Sequence, residues 1–408
     1  MTAGVRPLGS TFLSYRASDG RGHAEVLAWA LRAAGVPVWH DETDLPPGDT
    51  RQRLQEALES GLSGGVLIVT PEIADSSVVR DIEVPRLRTL AADPAFSLAI
   101  ASTVEQPGSP GHLDFAAPDR LLGLPSDSLQ AFKQYRIPAD TGTIARELAR
   151  RRMRVHRDLG QPVLEINLQT RLTAQAEVSG SGLVVRTKPP VDGRRSPPAA
   201  IWAPLTDFLR DLPQLAEASA AERLLVRGGA HLSVAFALGA ALPTTTCWRM
   251  AVEASDRQPW DDAAAGGVEL QERFEMLDGQ DLPAAVFVDL VPAPAPMATF
   301  DEHVSEHSYC GILRVSQARP GLLPQTAGAG TADAIGDRIR HAAAACGTNR
   351  IDLFLRVPFP MAVLLGRRLN TLEVTLYEWE DGIAPPRYVR MATVAAGRGG
   401  GPIVRIPV

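Results

Sequence analysis

The chain of 408 residues predicts an α/β fold in more than one part, and three observations lead there. Up to about residue 155, short apolar runs alternate with stretches of helical periodicity. Beyond about residue 160, a strand–helix pattern occurs twice. Proline and glycine punctuate the joins at QPGSPG (106–111), TKPPVDGRRSPP (187–198) and VPAPAP (291–296). Short apolar strands separated by helices fit a parallel sheet covered on both faces, with ligands beyond the carboxyl ends of its strands.

In the first part, STFLSY (10–15) reads as a buried strand. GHAEVLAWALRAAG (22–35) reads as a helix with Val26, Leu27, Ala30 and Leu31 on one face and Gly35 as its stop. VPVWH (36–40) is a second strand, DETDLPPGDT (41–50) a broken loop and RLQEALESGL (53–62) a helix. GGVLIVT (64–70) is a third strand, and the helix after it carries Glu83 within SSVVRDIEVP (76–85). FSLAIAST (96–103) is a fourth strand, and TIARELARRRMRV (143–155) a last helix, basic on its outer side. Tyr15, Arg16, Trp39, Asp41 and the helix of Glu83 all follow strand ends and can meet on one rim.

In the second part, GLVVR (182–186) opens one copy and GILRV (311–315) the other. VAFALGAAL (234–242) matches MAVLLGRRL (361–369), and the intervals from Gly182 to Gly239 and from Gly311 to Gly366 are 57 and 55 positions. Long helices fit 202–220 and 331–345, and strands fit ERLLVR (222–227), CWRMAVE (247–253), RIDLFLR (350–356) and LEVTLYEW (372–379). Two such Rossmann-like halves make a pocket lined by loops 187–200 and 316–330 and by helix starts near His231 and Phe359. Helix N-termini carry free amides and a positive dipole end. With Lys188, Arg194, Arg195, Arg227 and Arg356 in or beside these loops, the combination suits a phosphodiester ligand.

Hydrophobic residues at 45% and charged residues at 22% are ordinary for a soluble globular protein. A net charge of −6 argues against a duplex-DNA binder. No run approaches the ~18 apolar residues of a membrane span. MTAGVRPLGS lacks the apolar core of a signal peptide. The separated Cys247, Cys310 and Cys346 fit a reduced, cytoplasmic setting without a disulfide framework.

FLSYRASD (12–19), VWHDETDLPPGDT (38–50) and SSVVRDIE (76–83), in this order, resemble the TIR domain family over roughly residues 8–155. The resemblance implies a flavodoxin-like TIR domain at 1–157. Some TIR domains only assemble; others cleave NAD+ between nicotinamide and ribose. For the second kind, the resemblance places the catalytic acid at Glu83 and the substrate pocket at Tyr15, Arg16, Trp39, Asp41 and Asp44. It also implies that the loop after the second strand forms an edge shared between protomers. Many NAD-cleaving members carry a tryptophan four residues before the acid, where Val79 stands here. Without the resemblance, an acid on such a helix is ordinarily solvated charge, and a loop aspartate ordinarily caps amides.

RGGAHLSVAFALGAAL (227–242) and PFPMAVLLGRRL (358–369) resemble the SAVED domain, a fusion of two CARF-like halves, here about 158–280 and 281–408. The resemblance implies a sensor of cyclic oligonucleotides in the CBASS antiphage systems. Its ligand, cyclic tri-adenylate, would be held by Lys188, Arg194, Arg195, Arg227, His231, Arg356 and Phe359. Each cation could equally be solvated surface, and His231 could equally be a helix cap. The implied whole is an NAD+ hydrolase that self-associates head to tail on ligand binding, with NAD+ as substrate and no cofactor. Alternatives are a TIR scaffold without catalysis, and a sensor half that degrades its own ligand. His303, Glu306 and His307 match an HxxEH pattern, but the following strand leaves little room for the helix that a zinc site needs. ARRRMRVHR (149–157) reads as a solvated linker helix.

Overall fold

The computed structural model describes residues 4–39, 59, 61–171, 182–190, 194–246, 248–279, 281–292, 297–397 and 400–406. It divides into two compact units, Met1–Gln161 with Glu177–Arg186, and Pro162–Ala176 with Thr187–Val408. No helix among the described residues is long and apolar enough to cross a membrane.

The first unit holds β1 (Val5–Ser14), α1 (Ala17–Ala33), β2 (Val38–Trp39), β3 (Leu62–Val69), α2 (Val84–Leu90), β4 (Ser97–Ser102), α3 (Ala117–Leu121), β5 (Gln134–Arg136) and α4 (Thr141–Asp158). Its sheet runs β2-β1-β3-β4-β5 with parallel pairings, the flavodoxin-like order. Val66, Leu67, Ile68 and Val69 of β3 are all buried, because helices cover both faces and leave no polar side to alternate with. On α1 the inner face is Ala24, Leu27, Ala28 and Leu31, whereas Val26, expected inside, is 56% exposed. The basic face of α4 also departs from expectation. Arg152 is 5% exposed and donates to the carbonyls of Leu8 (2.6 Å), Gly9 (2.8 Å) and Gly182 (2.6 Å). Those carbonyls supply the acceptors that water would otherwise offer.

After α4 the chain forms β6 (Val163–Gln169), in the second unit, and β7 (Gly182–Arg186), in the first. The Val184 amide of β7 donates to the Gly35 carbonyl at 2.9 Å. Gly35 has φ +82° and ends the α1 segment as expected.

The second unit continues with α5 (Trp202–Ser219), β8 (Arg223–Gly229), α6 (Leu232–Ala241), β9 (Arg249–Glu253) and β10 (Pro259–Asp261). Then come β11 (Leu270–Met276), β12 (Ala284–Asp289), α7 (Met297–Glu306), β13 (Gly311–Gln317), α8 (Gly328–Ala345), β14 (Arg350–Arg356), α9 (Phe359–Arg368), β15 (Glu373–Glu380), β16 (Arg387–Ala395) and β17 (Ile403–Arg405). One sheet contains the run β10-β9-β8-β6 and the other runs β11-β13-β12-β14-β15-β16-β17. In the first, β6, β8 and β9 are parallel and β10 antiparallel; in the second, β12, β14 and β15 repeat the parallel run and β16 the antiparallel strand. The duplication is therefore present in the topology. The matched helices α6 and α9 cross where side chains vanish. A Cβ on Gly239 would lie 2.0 Å from the Val363 carbonyl oxygen, and one on Gly366 would lie 2.0 Å from that of Phe236. Each repeat thus contributes the same glycine to the same contact.

Candidate functional site

In a sheet of order 2-1-3-4-5, the crevice for a ligand opens beyond the carboxyl ends of β1 and β3, where the connections diverge. Ser14 is the last residue of β1, and its hydroxyl donates to Oε2 of Glu83 at 2.5 Å. Glu83 closes a π-helical turn, Val79–Glu83, that runs directly into α2. Such a turn holds one residue more than an α-turn and re-aims the side chains around it, and it recurs at functional positions. Glu83 is 7% exposed, so it is a buried acid and not the solvated helix charge that its neighbourhood in sequence suggests. Val79, at the position of the family's tryptophan, is buried among Leu67, Val69, Ile73 and Ile100.

Trp39 pairs with Phe12 in register and stacks on its ring at 5.2 Å. Phe12 and Ser14 are two apart on β1 and face the same side, so Trp39 and Glu83 are both held on that side of the sheet. Tyr15 is buried, with its Cβ 3.1 Å from where a Gly20 Cβ would stand. Arg16 caps α1 and is ion-paired with Glu72, with Asp19 at 3.6 Å and with Asp75 at 3.7 Å. It therefore ties the loop after β1 to the turn after β3. Asp41 and Asp44 lie outside the described residues.

The second unit has a cavity of about 430 Å³ lined by Arg171, Arg194, Arg195, His231, Arg356 and Trp379, among others. Of the residues expected there, Arg194, Arg195, His231 and Arg356 reach it, whereas Lys188, Arg227 and Phe359 are not in its lining. Loop 316–330 contributes no lining residue either. Arg227 on β8 is held instead by Glu165 (2.9 Å) and Glu253 (3.7 Å) from the flanking strands.

The cavity wall is built on hydrogen bonds. His231 is the N-cap of α6 and 1% exposed. Its Nε2 lies 2.7 Å from the Arg195 carbonyl, which only accepts, so Nε2 carries the proton. Nδ1 then accepts from the Thr170 hydroxyl at 2.8 Å, and the Thr170 oxygen accepts from the His231 amide at 2.9 Å. Burial pushes the His231 pKa down against the pull of Glu378, which keeps the ring in this neutral form. Glu378 takes the start of α6, accepting from the Ser233 amide (2.7 Å) and hydroxyl (2.8 Å). Glu380 accepts from the amides of Arg195, Ser196 and Gly382 and from the Ser196 hydroxyl at 2.6 Å. Burial works against its charge, but these donors outweigh it and hold the carboxyl at about 2. Arg195 reaches Asp381 at 2.8 Å, and Arg356 reaches both oxygens of Asp289 at 2.8 and 3.0 Å.

The helix that the sequence argues against at His303 is present as α7. His303 on it stacks with His307, just past its end, at 4.1 Å, and His303 Nε2 meets the Tyr309 hydroxyl at 3.1 Å. Among the described residues no three or more His, Cys, Asp or Glu side chains gather as a metal site would need. Sequence reasoning missed Arg171 and Trp379, which follow or end strands. Arg171 escaped because β6 itself went unrecognised.

With this geometry in place, comparisons with known proteins define the class. The TIR domain family model matches residues 11–100. The model of the SAVED family, the SMODS-associated and fused to various effectors sensor domain, matches residues 208–394. The chain is a TIR domain followed by a SAVED domain. Among solved structures it is similar to the Acinetobacter baumannii Cap4 SAVED/CARF-domain containing receptor with the cyclic trinucleotide 2′3′3′-cAAA, at 13% identity over 80% of this chain and 87% of that one, TM-score 0.48. It is similar to the same receptor with 3′3′3′-cAAA, at 13% identity over 80% and 88%, TM-score 0.48. A third similarity is to the Moraxella osloensis Cap4 receptor, at 14% identity over 80% and 86%, TM-score 0.43. No curated protein matches the chain.

Proposed function

We propose that the chain is an NAD+ hydrolase switched on by a cyclic oligonucleotide, an effector of CBASS antiviral defence. The observation that carries this reading is the placement of Glu83, a buried carboxylate held by Ser14 at the end of β1. Nicotinamide in NAD+ is already a cationic leaving group, so its departure needs no general acid. The bond between its nitrogen and the ribose breaks with the electron pair going to nicotinamide, and positive charge develops on the sugar. A carboxylate fixed beside that sugar stabilises the charge, and does so most strongly where water is excluded. Water then adds and releases a proton.

The SAVED domain supplies the sensor, and the cavity around Arg194, Arg195 and His231 is the place for a cyclic tri-adenylate. Ligand binding drives head-to-tail association of TIR domains, which completes the active site; such contacts extend into filaments where their rotation does not close a ring.

The test is NAD+ consumption by the full chain against a panel of cyclic di-, tri- and tetranucleotides, with particle size followed in parallel. Cyclic tri-adenylate is expected to trigger both cleavage and growth. Glu83→Gln is expected to lower turnover by at least about a hundredfold while assembly persists. NAD+ left intact by the wild type under every saturating ligand overturns the hydrolase. Assembly without cleavage, unchanged by Glu83→Gln, would instead mark a scaffold.

A further inference from the structure

The cavity in the second unit has four arginines in its lining, Arg171, Arg194, Arg195 and Arg356, against the acids Glu378 and Asp381. These cations are not equivalent. Arg356 is already bound to both oxygens of Asp289 and Arg195 is bound to Asp381. Each already has a carboxylate on one amino group that offsets its charge, so a phosphate gains less from it. Arg171 and Arg194 are exposed, and among the described residues neither forms an ion pair. The start of α6, which would otherwise attract an anion, is filled by the Glu378 carboxylate. The amides of Arg195 and Ser196, another natural anion nest, are filled by Glu380. Both of these backbone sites are thus occupied from within, whereas the two guanidiniums are not.

We propose that Arg171 and Arg194 are the phosphate-holding pair of this cavity, and that its ligand is a phosphodiester bearing at least two phosphates. The inference rests on reading this unit as the sensor of a cyclic oligonucleotide. The two arginines stand at the ends of one hydrogen-bonded relay. Arg171 follows Thr170, whose hydroxyl bonds His231 at both the ring and the amide. His231 in turn holds the carbonyl of Arg195, the residue next to Arg194. Glu380 fixes the same loop from its other side through Arg195 and Ser196. Thr170 and Arg195, the neighbours of the pair, are therefore held before ligand arrives, which lowers the ordering cost of a guanidinium–phosphate contact. The cavity lies within the 300–1,000 Å³ range of small-molecule sites, and Trp379 in its wall offers a flat apolar surface to a base.

Calorimetric titration of cyclic tri-adenylate into the full chain, at low and at high salt, tests the pair. Arg171→Gln and Arg194→Gln are each expected to weaken binding by about tenfold to a hundredfold, the worth of one charged hydrogen bond. Each is also expected to make the affinity less sensitive to salt, because fewer charges are paired in the complex. Arg171→Lys is expected to restore the salt sensitivity but only part of the affinity, since lysine keeps the charge without the fork. Arg227→Gln, outside the cavity, is expected to bind within about threefold of the wild type. Wild-type affinity in both glutamine variants, or an equal loss in Arg227→Gln, overturns the pair while leaving the sensor in place. A wild type that binds none of the cyclic di-, tri- and tetranucleotides overturns the sensor reading and the pair with it.

Discussion

Glu83 and Ser14 are 69 residues apart in sequence, yet a single 2.5 Å hydrogen bond joins them. That contact makes Ser14 a positioning residue in the proposed reaction. Ser14→Ala is expected to lower kcat for NAD+ cleavage about tenfold with little change in KM, and Ser14→Thr to recover most of it, as measured at saturating activator. Equal kcat in wild type and Ser14→Ala would remove the role. A second residue-scale expectation concerns acid. Burial pushes His303 down to about 4, with the charge of His307 working the same way. His231 is also lowered. An imidazole held below its ordinary value is neutral in the folded chain, while the unfolded chain takes up a proton from about pH 6.5 downward. Stability is therefore fully present above pH 6.5 and falls as pH drops through the window from 6.5 to about 4. Thermal unfolding across that window is expected to show the fall, and His303→Phe, which fits among Phe300, Phe354 and Tyr377, is expected to flatten it. An unchanged slope in that variant would assign the acid sensitivity elsewhere. At this scale the order of three motifs singled out Glu83 as the expected acid, but the sequence did not show its burial, because a π turn has no signature in apolar spacing. Nor did it show which cations were engaged. Glu165, Glu253, Asp289 and Asp381, which hold Arg227, Arg356 and Arg195, come from remote strands or turns.

Helices α6 and α9 display the repeat most directly. Their matching glycines were visible as spacing, and the structure supplies the reason for that spacing: each faces a backbone carbonyl of the other helix at a distance that admits no side chain. Gly239→Ala and Gly366→Ala should push the helices apart and destabilise the second unit by about 1–3 kcal/mol each. In a chain of this size that lowers the unfolding midpoint by several degrees, readable by calorimetry. Two midpoints equal to that of the wild type would mean that the crossing relaxes without cost. The strands between the helices were legible wherever apolar runs met glycine or proline. Less legible were β6 and β12, which precede the strands that the sequence took as starting each copy. On β6, Glu165, Asn167 and Gln169 alternate with buried Leu164, Ile166 and Leu168, so its apolar run is interrupted. The buried Arg152 of α4 shows the converse limit. A basic residue reads as surface until main-chain carbonyls close around it.

For the whole chain, the proposed mechanism makes turnover a property of assembled molecules. If the TIR active site is completed by a neighbouring chain, the rate per chain at saturating cyclic tri-adenylate must rise with chain concentration and level off once assembly is complete. A switch confined to one chain would instead give a rate per chain independent of dilution. Dilution series of the wild type, with light scattering alongside NAD+ consumption, distinguish the two. Mixing sharpens the result. Added to a dilute wild type with ligand present, Glu83→Gln chains carry an intact sensor and are expected to raise its NAD+ consumption by extending the assembly, although they turn over nothing themselves. Arg171→Gln/Arg194→Gln chains, which bind the ligand poorly under the proposal above, are expected to leave that rate unchanged. Stimulation by both additives alike would place the activating contact in the TIR domain without reference to the ligand. Stimulation by neither, together with a rate per chain that ignores dilution, would put the switch inside a single molecule.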